Sequence, residues 1–416
     1  MAGRRVETIA VGHGYDPARH NGAAKPPVYM SSTFVYRDAA HARSAHEGYA
    51  AGRAPDAGDA EGYIYARLDH PNLQMLQARM AALDGAEACA AFGSGMAAVA
   101  TALLSLVRPG DSVLHTSPLY GGTDGLLTGV MAPELGVRPV AIADALDEGS
   151  VREAAAGALA HGPLAAVWIE TPSNPLAGLA DIALIARVAR EAAAGQARPP
   201  VVIVDNTFLG PTLQAPLRHG ADLCMTSLTK YAGGHSDLLG GAISGATALV
   251  EPLRKRRTLM GTHLDPHGSW LLLRSIETMG LRVERAGQNA ATVARFLAAH
   301  PKVSRVTWAG FADPASPAGA LLRRQCDGAG PTFAFDVAGG EASCFRLLDA
   351  LRVFRLAVSL GGTESLICHP ATTTHFSVPP ERRAAAGVTD GTIRISVGIE
   401  HEADLIEDLA QALEKA

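Results

Sequence analysis

Ser227-Leu228-Thr229-Lys230-Tyr231, taken with Val201-Val202-Ile203-Val204-Asp205 a short way upstream, decides how this chain is read. The apolar run 201–204 closes on a carboxylate. A second apolar run, 223–225, leads into two hydroxyls and a lysine. Continuous β-branched runs are the mark of parallel strands buried on both faces. The carboxyl ends of such strands open into the crevice where ligands bind. The spacing therefore predicts that Asp205, Ser227, Thr229 and Lys230 meet at one rim of one sheet. The plainer alternative is a solvated lysine at a strand end and an aspartate that caps the next helix.

Working outward, strand and helix patterns alternate. Strands are predicted at 112–115, around Val140, and at 164–170, 201–205, 223–227 and 241–244. Helices are predicted at 71–83, 151–159 and 181–194. This alternation argues for a mostly parallel sheet covered on both faces. Ala91-Phe92-Gly93-Ser94-Gly95-Met96 opens a further helix. Its small residues and free N–H groups have the form of a phosphate cradle, with tight packing as the alternative. It lacks the Gly-Lys-Ser/Thr of a P-loop and the third glycine of a dinucleotide fingerprint. Pro175 follows Asn174 at a strand's carboxyl end and aims that side chain.

Beyond Pro266 the pattern changes. Long helices are predicted at 269–280 and 285–300, strands at 303–307, 332–337 and 393–397, and an amphipathic helix at 403–415. Arg394 stands between two isoleucines in a buried-looking run. An unpartnered buried guanidinium costs several kcal/mol, so it needs a partner, and a substrate carboxylate is one. Three segments follow from these shifts: 1–69 as an N-terminal arm, 70–265 as a large domain and 266–416 as a small α+β domain. Residues 1–60 read as loosely structured, and 48–62, rich in Gly, Ala, Pro and Asp, as loop or disorder. Tyr65 and Arg67 are predicted on one side of an extended segment, where they offer a hydroxyl and a guanidinium to an anion.

Composition excludes several classes. The net charge of −5 and the single short basic cluster 254–257 argue against nucleic acid. No run of 18 apolar residues predicts a membrane span, and the N-terminus does not read as a signal peptide. Five cysteines without Cys-x-x-Cys pairs argue against a disulfide framework or a zinc site, so no metal is predicted and a cytoplasmic setting is. An amine, an acid and phosphate-binding hydroxyls are instead what pyridoxal phosphate (PLP) requires.

The run 227–237, Ser-Leu-Thr-Lys-Tyr-Ala-Gly-Gly-His-Ser-Asp, resembles the signature of the PLP-dependent family of cysteine and methionine metabolism. Arriving in order with it are Tyr65-Ala66-Arg67, Ser94-Gly95-Met96, Leu119-Tyr120-Gly121, Glu170-Thr171-Pro172, Val204-Asp205-Asn206-Thr207 and Ser359-Leu360-Gly361-Gly362. The resemblance implies an aspartate-aminotransferase-like α/β fold (fold type I), with a mostly parallel seven-stranded sheet and a smaller α+β C-terminal domain. It implies Lys230 as the Schiff-base lysine and proton shuttle, Asp205 on the pyridinium nitrogen, and Tyr120 stacked on the ring as an acid/base. Gly95, Met96, Thr207, Ser227 and Thr229 would complete the cofactor site. Tyr65 and Arg67 would reach the phosphate from a neighbouring subunit, in a homotetramer built as a dimer of dimers. Asn174, Ser359 and Arg394 would bind the substrate carboxylate, with Val358 near its distal end.

Members that act on cystathionine often carry a glutamate or polar aromatic before that serine. Val358 suits an apolar tail, so the resemblance favours a methionine γ-lyase, which releases methanethiol, α-ketobutyrate and ammonia. A cystathionine γ-lyase or γ-synthase is the alternative. Gly122 replaces the reactive cysteine usual in methionine γ-lyases, His70-Pro71-Asn72 replaces the family's Asn-Pro-Thr, and an insertion at 37–61 would reshape the entrance. Two readings from other classes stay open: a regulatory protein that kept the fold without turnover, and a phosphate-binding enzyme that does not use PLP.

Overall fold

The computed structural model describes residues 4–52, 62–376 and 378–416. Its centre is a seven-stranded sheet of β1 Ala88–Phe92, β2 Ser112–Thr116, β3 Arg138–Ile142, β4 Leu164–Glu170, β5 Val201–Asp205, β6 Leu223–Thr226 and β7 Gly241–Gly245. The order is β1-β7-β6-β5-β4-β2-β3, parallel from β6 to β3, with β7 antiparallel to both its neighbours. Alternation within the apolar runs explains how the sheet holds its helices. Trp168 and Ile203 enter one buried cluster, whereas Val167, Ile169, Val202 and Val204 enter another on the opposite face. Both faces are thereby covered, which is why these strands read as unbroken apolar runs rather than as alternating ones.

The first four helices are α1 Val6–Gly12, α2 Ala39–Ala50, α3 Pro71–Asp84 and α4 Gly95–Leu106. α2 departs from the loose structure predicted for 1–60. Asp38 caps it by accepting the His41 amide at 2.7 Å, and the Tyr49 hydroxyl donates to Thr258 Oγ1 at 2.9 Å. A side-chain cap and an anchoring contact let an alanine-rich stretch form a helix that its mixed composition hides. Of the predicted loop 48–62, residues 53–61 lie outside the described residues. β1 was not predicted either: Ala88-Cys89-Ala90-Ala91-Phe92 has one residue of high strand propensity, yet all five are buried.

A second sheet, of order β10-β11-β12-β9-β8, comprises β8 Val303–Thr307, β9 Thr332–Val337, β10 Arg355–Leu356, β11 Leu366–Cys368 and β12 Thr392–Ser396. Its core is shared with the helices Met279–Ala299, Gly340–Ala350 and Glu402–Leu413. The helix Pro266–Ile276 lies on the large-sheet side, where Leu272, Leu273 and Ile276 pack with Leu73 and Leu76 of α3. Among the described residues, no helix is long and apolar enough to cross a membrane, and no His/Cys/Asp/Glu group is arranged to hold a metal. All five cysteines are free.

Candidate active site

β4, β5 and β6 end side by side. In register, Glu170 of β4 pairs with Asp205 of β5, and Asp205 pairs with Met225 of β6. Two buried carboxylates thus stand together at the carboxyl edge of the sheet. Burial pushes the Asp205 carboxyl up from its ordinary pKa, while bonds from Thr207 and the charge of Lys230 pull it back. Glu170 is pushed up to about 8, first by burial and then by Asp205. Thr207 joins the acid to the next turn: its hydroxyl donates to Asp205 Oδ1 at 2.6 Å and accepts the Ser227 amide at 2.9 Å.

The first turn of α4 faces the same turn. Ser94 caps the helix by accepting the Ala97 amide at 3.0 Å. A Cβ on Gly95 would lie 2.9 Å from Ser227 Oγ, so a side chain here would have to push the serine hydroxyl aside. Gly95, Met96, Ser227 and Thr229 line one cleft of about 680 Å³, together with Tyr120, Asn174, Asp205, Thr207, Lys230, Val358, Ser359 and Arg394. The Thr229 hydroxyl is already engaged with the backbone of Gly240, donating to its carbonyl at 3.2 Å and accepting its amide at 3.0 Å.

Lys230 donates to Ser359 Oγ at 2.7 Å. Its pKa is lowered to about 8, by burial first and by Arg394 second, against the opposing pull of Asp205. The loop carrying Ser359 is held tightly. Ser359 has φ +92°, a strained value for a non-glycine residue, and a Cβ on Gly361 (φ +80°) would lie 2.7 Å from the Tyr231 amide. Arg394, buried on β12, donates to Asn174 Oδ1 at 3.1 Å and to the Ser359 carbonyl at 2.6 Å. Its Nε is buried and has no hydrogen-bond partner, which leaves a donor for an incoming anion.

Tyr120 precedes a helical turn at the cleft mouth and is 44% exposed. Its amide donates to Glu170 Oε2 at 2.6 Å. Tyr65 and Arg67 are placed elsewhere. They do not line this chain's cleft, and the extended segment predicted for them is a bridge followed by a turn, because the Leu68 amide donates to the Tyr65 carbonyl at 2.9 Å. They do share a side: the Arg67 guanidinium lies 5.8 Å from the Tyr65 ring centre and donates to the Thr258 carbonyl at 2.8 Å. Glu170 is placed by the sequence reading at the end of a strand and in a family motif, but it is given no role there. The signal was present, since it closes an apolar run as Asp205 does.

These residues fit PLP. The close approach at Gly95 shapes an anion cradle at a helix N-terminus. The buried Asp205 carboxylate calls for a cation, which a protonated ring nitrogen would supply. Lys230 is a half-buried amine of lowered pKa. The fold and the site together define a PLP-dependent enzyme of the aspartate-aminotransferase-like class.

Comparison with known proteins narrows the class. Residues 7–414 match the family model described as Cys/Met metabolism PLP-dependent enzyme. The chain is 40% identical over 409 residues to the L-methionine γ-lyase of Pseudomonas putida, covering 98% of this chain and 96% of the relative. It is 39% identical to the cystathionine γ-lyase of Bacillus subtilis, covering 99% of each. A crystal structure of cystathionine γ-synthase from Xanthomonas oryzae pv. oryzae, in complex with aminoacrylate and cysteine, superposes with a TM-score of 0.87 at 35% identity, over 100% of this chain and 99% of that one. The chain belongs to the Cys/Met metabolism PLP-dependent enzyme family, and the relatives it matches include γ-lyases and γ-synthases, enzymes of γ-elimination and γ-replacement.

Proposed function

We propose that this enzyme is a methionine γ-lyase, converting L-methionine and water to methanethiol, α-ketobutyrate and ammonia. One observation carries the choice. Among the described residues, the charged side chains lining the cleft are Glu170, Asp205, Lys230 and Arg394, and each has a partner or role at its inner end. The exposed end presents Val358 and Leu239, 55% and 63% exposed. Among the described residues lining the cleft, nothing charged remains for the second amino-acid head of cystathionine, whereas an S-methyl group suits an apolar mouth.

The chain's groups divide the work as follows. Arg394 offers its free Nε to the substrate carboxylate, and Asn174 and the Ser359 carbonyl hold the guanidinium in place. PLP, when bound, supplies the electron sink for charge left at Cα. Asp205 keeps the ring nitrogen protonated, oriented by Thr207. The Lys230 amine, with its pKa near 8, is partly neutral at physiological pH. As a proton shuttle it would take the Cα proton, pass it on and take a Cβ proton in turn, whose loss leaves the electron pair that expels the γ-sulfur. Tyr120, at the mouth, hands a proton to the departing sulfur. Gly95, Met96 and Ser227 receive the phosphate, with Thr229 beside them.

The placing of Tyr65 and Arg67 away from their own cleft supports a site shared between two subunits of a homotetramer. The free thiols support a cytoplasmic setting. A second reading, cystathionine γ-lyase or γ-synthase, is favoured by Gly122, where a Cβ would lie 2.7 Å from the Tyr120 ring and a reactive thiol is absent. The deciding assay incubates the enzyme with L-methionine, cystathionine and an O-acyl-homoserine. The proposal expects the highest kcat/KM for α-ketobutyrate release with methionine and no diversion of product by added cysteine. Preference for cystathionine, or diversion by cysteine, would overturn it.

A further inference from the structure

Glu170 has no part in the reaction outlined above, yet it lies at the junction of its working parts. It ends β4, is buried, and pairs in register with Asp205. Its two carboxylate oxygens serve different segments. Oε2 accepts the Tyr120 amide at 2.6 Å, in the loop after β2, and Oε1 accepts the Asn174 amide at 2.9 Å, in the loop after β4. Its own amide donates to Thr116 Oγ1 at 2.9 Å, at the end of β2. One residue therefore fixes the main chain from which the ring-stacking tyrosine and the guanidinium-holding asparagine both project.

Packing does not explain the choice. A second buried carboxylate beside Asp205 is costly, and its displaced pKa records that cost. An apolar residue would complete the strand Leu-Ala-Ala-Val-Trp-Ile without it. A carboxyl group is the shortest side-chain end with two acceptor oxygens pointing in different directions, and that is what two converging amides need.

We propose that Glu170 is a positioning residue that locks Tyr120 and the Asn174–Arg394 carboxylate clamp into one fixed geometry. The assignment rests on the roles given to Tyr120 and Asn174 above. It is independent of which sulfur substrate the enzyme prefers.

The test uses the holoenzyme above pH 8, where the Glu170 carboxyl is ionised, and Glu170→Gln, which keeps shape and volume but replaces one acceptor oxygen with a donor. Glu170→Gln is expected to lower kcat/KM at least 30-fold, to leave the PLP dissociation constant within threefold, and to lose at least half of the visible circular dichroism of the bound cofactor. In double-mutant cycles, its loss in kcat should be non-additive with Tyr120→Phe and its rise in KM non-additive with Asn174→Ala, by fivefold or more in each. Additive losses in both cycles, an unaltered kcat/KM, or a collapse of PLP affinity would each overturn the proposal. If Glu170→Gln does not fold, Glu170→Asp, which keeps the charge but shortens the reach, is taken through the same cycles and judged by the same criteria. The cycles are run with an O-acyl-homoserine as well as with L-methionine. Coupling seen with the former alone defeats the methionine assignment and sustains this one.

Discussion

At the scale of single residues, the account turns on where charge is placed and where it is withheld. Val358 lines the exposed end of the cleft, and if that end holds the substrate's tail as proposed, Val358→Glu raises the ratio of kcat/KM for cystathionine over methionine by about tenfold or more, the order of one favourable charged contact. Steady-state kinetics with both substrates check this, and an unchanged ratio would reject the role of Val358. Glu170 makes a second prediction, for the protein without PLP. The folded chain holds its carboxyl protonated up to about pH 8, whereas the unfolded chain releases that proton near 4.5. Its contribution to stability is therefore complete below about 4.5 and is lost as pH rises through 8. Thermal unfolding of the PLP-free protein from pH 5 to 9 should show a downward slope in Tm that is shallower in Glu170→Gln. Parallel slopes would show that Glu170 is not the group responsible. At this scale the sequence was partly legible. Asp205, Lys230 and Arg394 each drew notice because a charged group interrupts or ends an apolar run. Glu170 carries the same signal, but its meaning depends on two backbone amides that no local pattern reveals.

Among the elements, the turn-to-helix junction at Ser94-Gly95 is the most exposed to test. With no side chain at residue 95, the first turn of α4 comes close to Ser227, and a phosphate held there would draw on free amides and the helix dipole. Gly95→Ala is predicted to weaken PLP binding at least tenfold while shifting the unfolding midpoint of the PLP-free protein by no more than a few degrees. Equilibrium titration with PLP and a thermal melt check the two halves, and full affinity in the variant would remove the cradle from the account. The elements that position this junction differed in how plainly they could be read. β4, β5 and β6 were visible because burial on both faces leaves continuous apolar runs. β1 was hidden by its alanines, and β10, two exposed residues long, has no pattern to find. α2 was hidden because what stabilises it, the Asp38 cap and the Tyr49–Thr258 contact, involves single residues rather than a periodic face.

For the whole molecule, the decisive feature is that four distant stretches close on one cleft. Lys230 meets Ser359, the Ser359 carbonyl meets Arg394, and Arg394 meets Asn174. No spacing within any one stretch predicts these meetings; at the sequence level they follow only from the family resemblance. Tyr65 and Arg67 extend the argument beyond one chain, since they sit together on the surface, away from their own cleft. If they complete a neighbour's phosphate site, mixing Arg67→Ala with Lys230→Ala subunits should restore activity through hybrid sites, to about a quarter of wild type when the two are mixed equally and exchange freely, by random pairing. No recovery despite proven subunit exchange would confine the site to one chain. Beneath all of this lies the claim that the PLP aldehyde is joined to the amine of Lys230, opposite the carboxylate of Asp205. Borohydride reduction of the holoenzyme followed by peptide mass spectrometry tests it most directly. The account predicts a phosphopyridoxyl group on Lys230 and its absence from Lys230→Ala; a label on another lysine, or none, would contradict it.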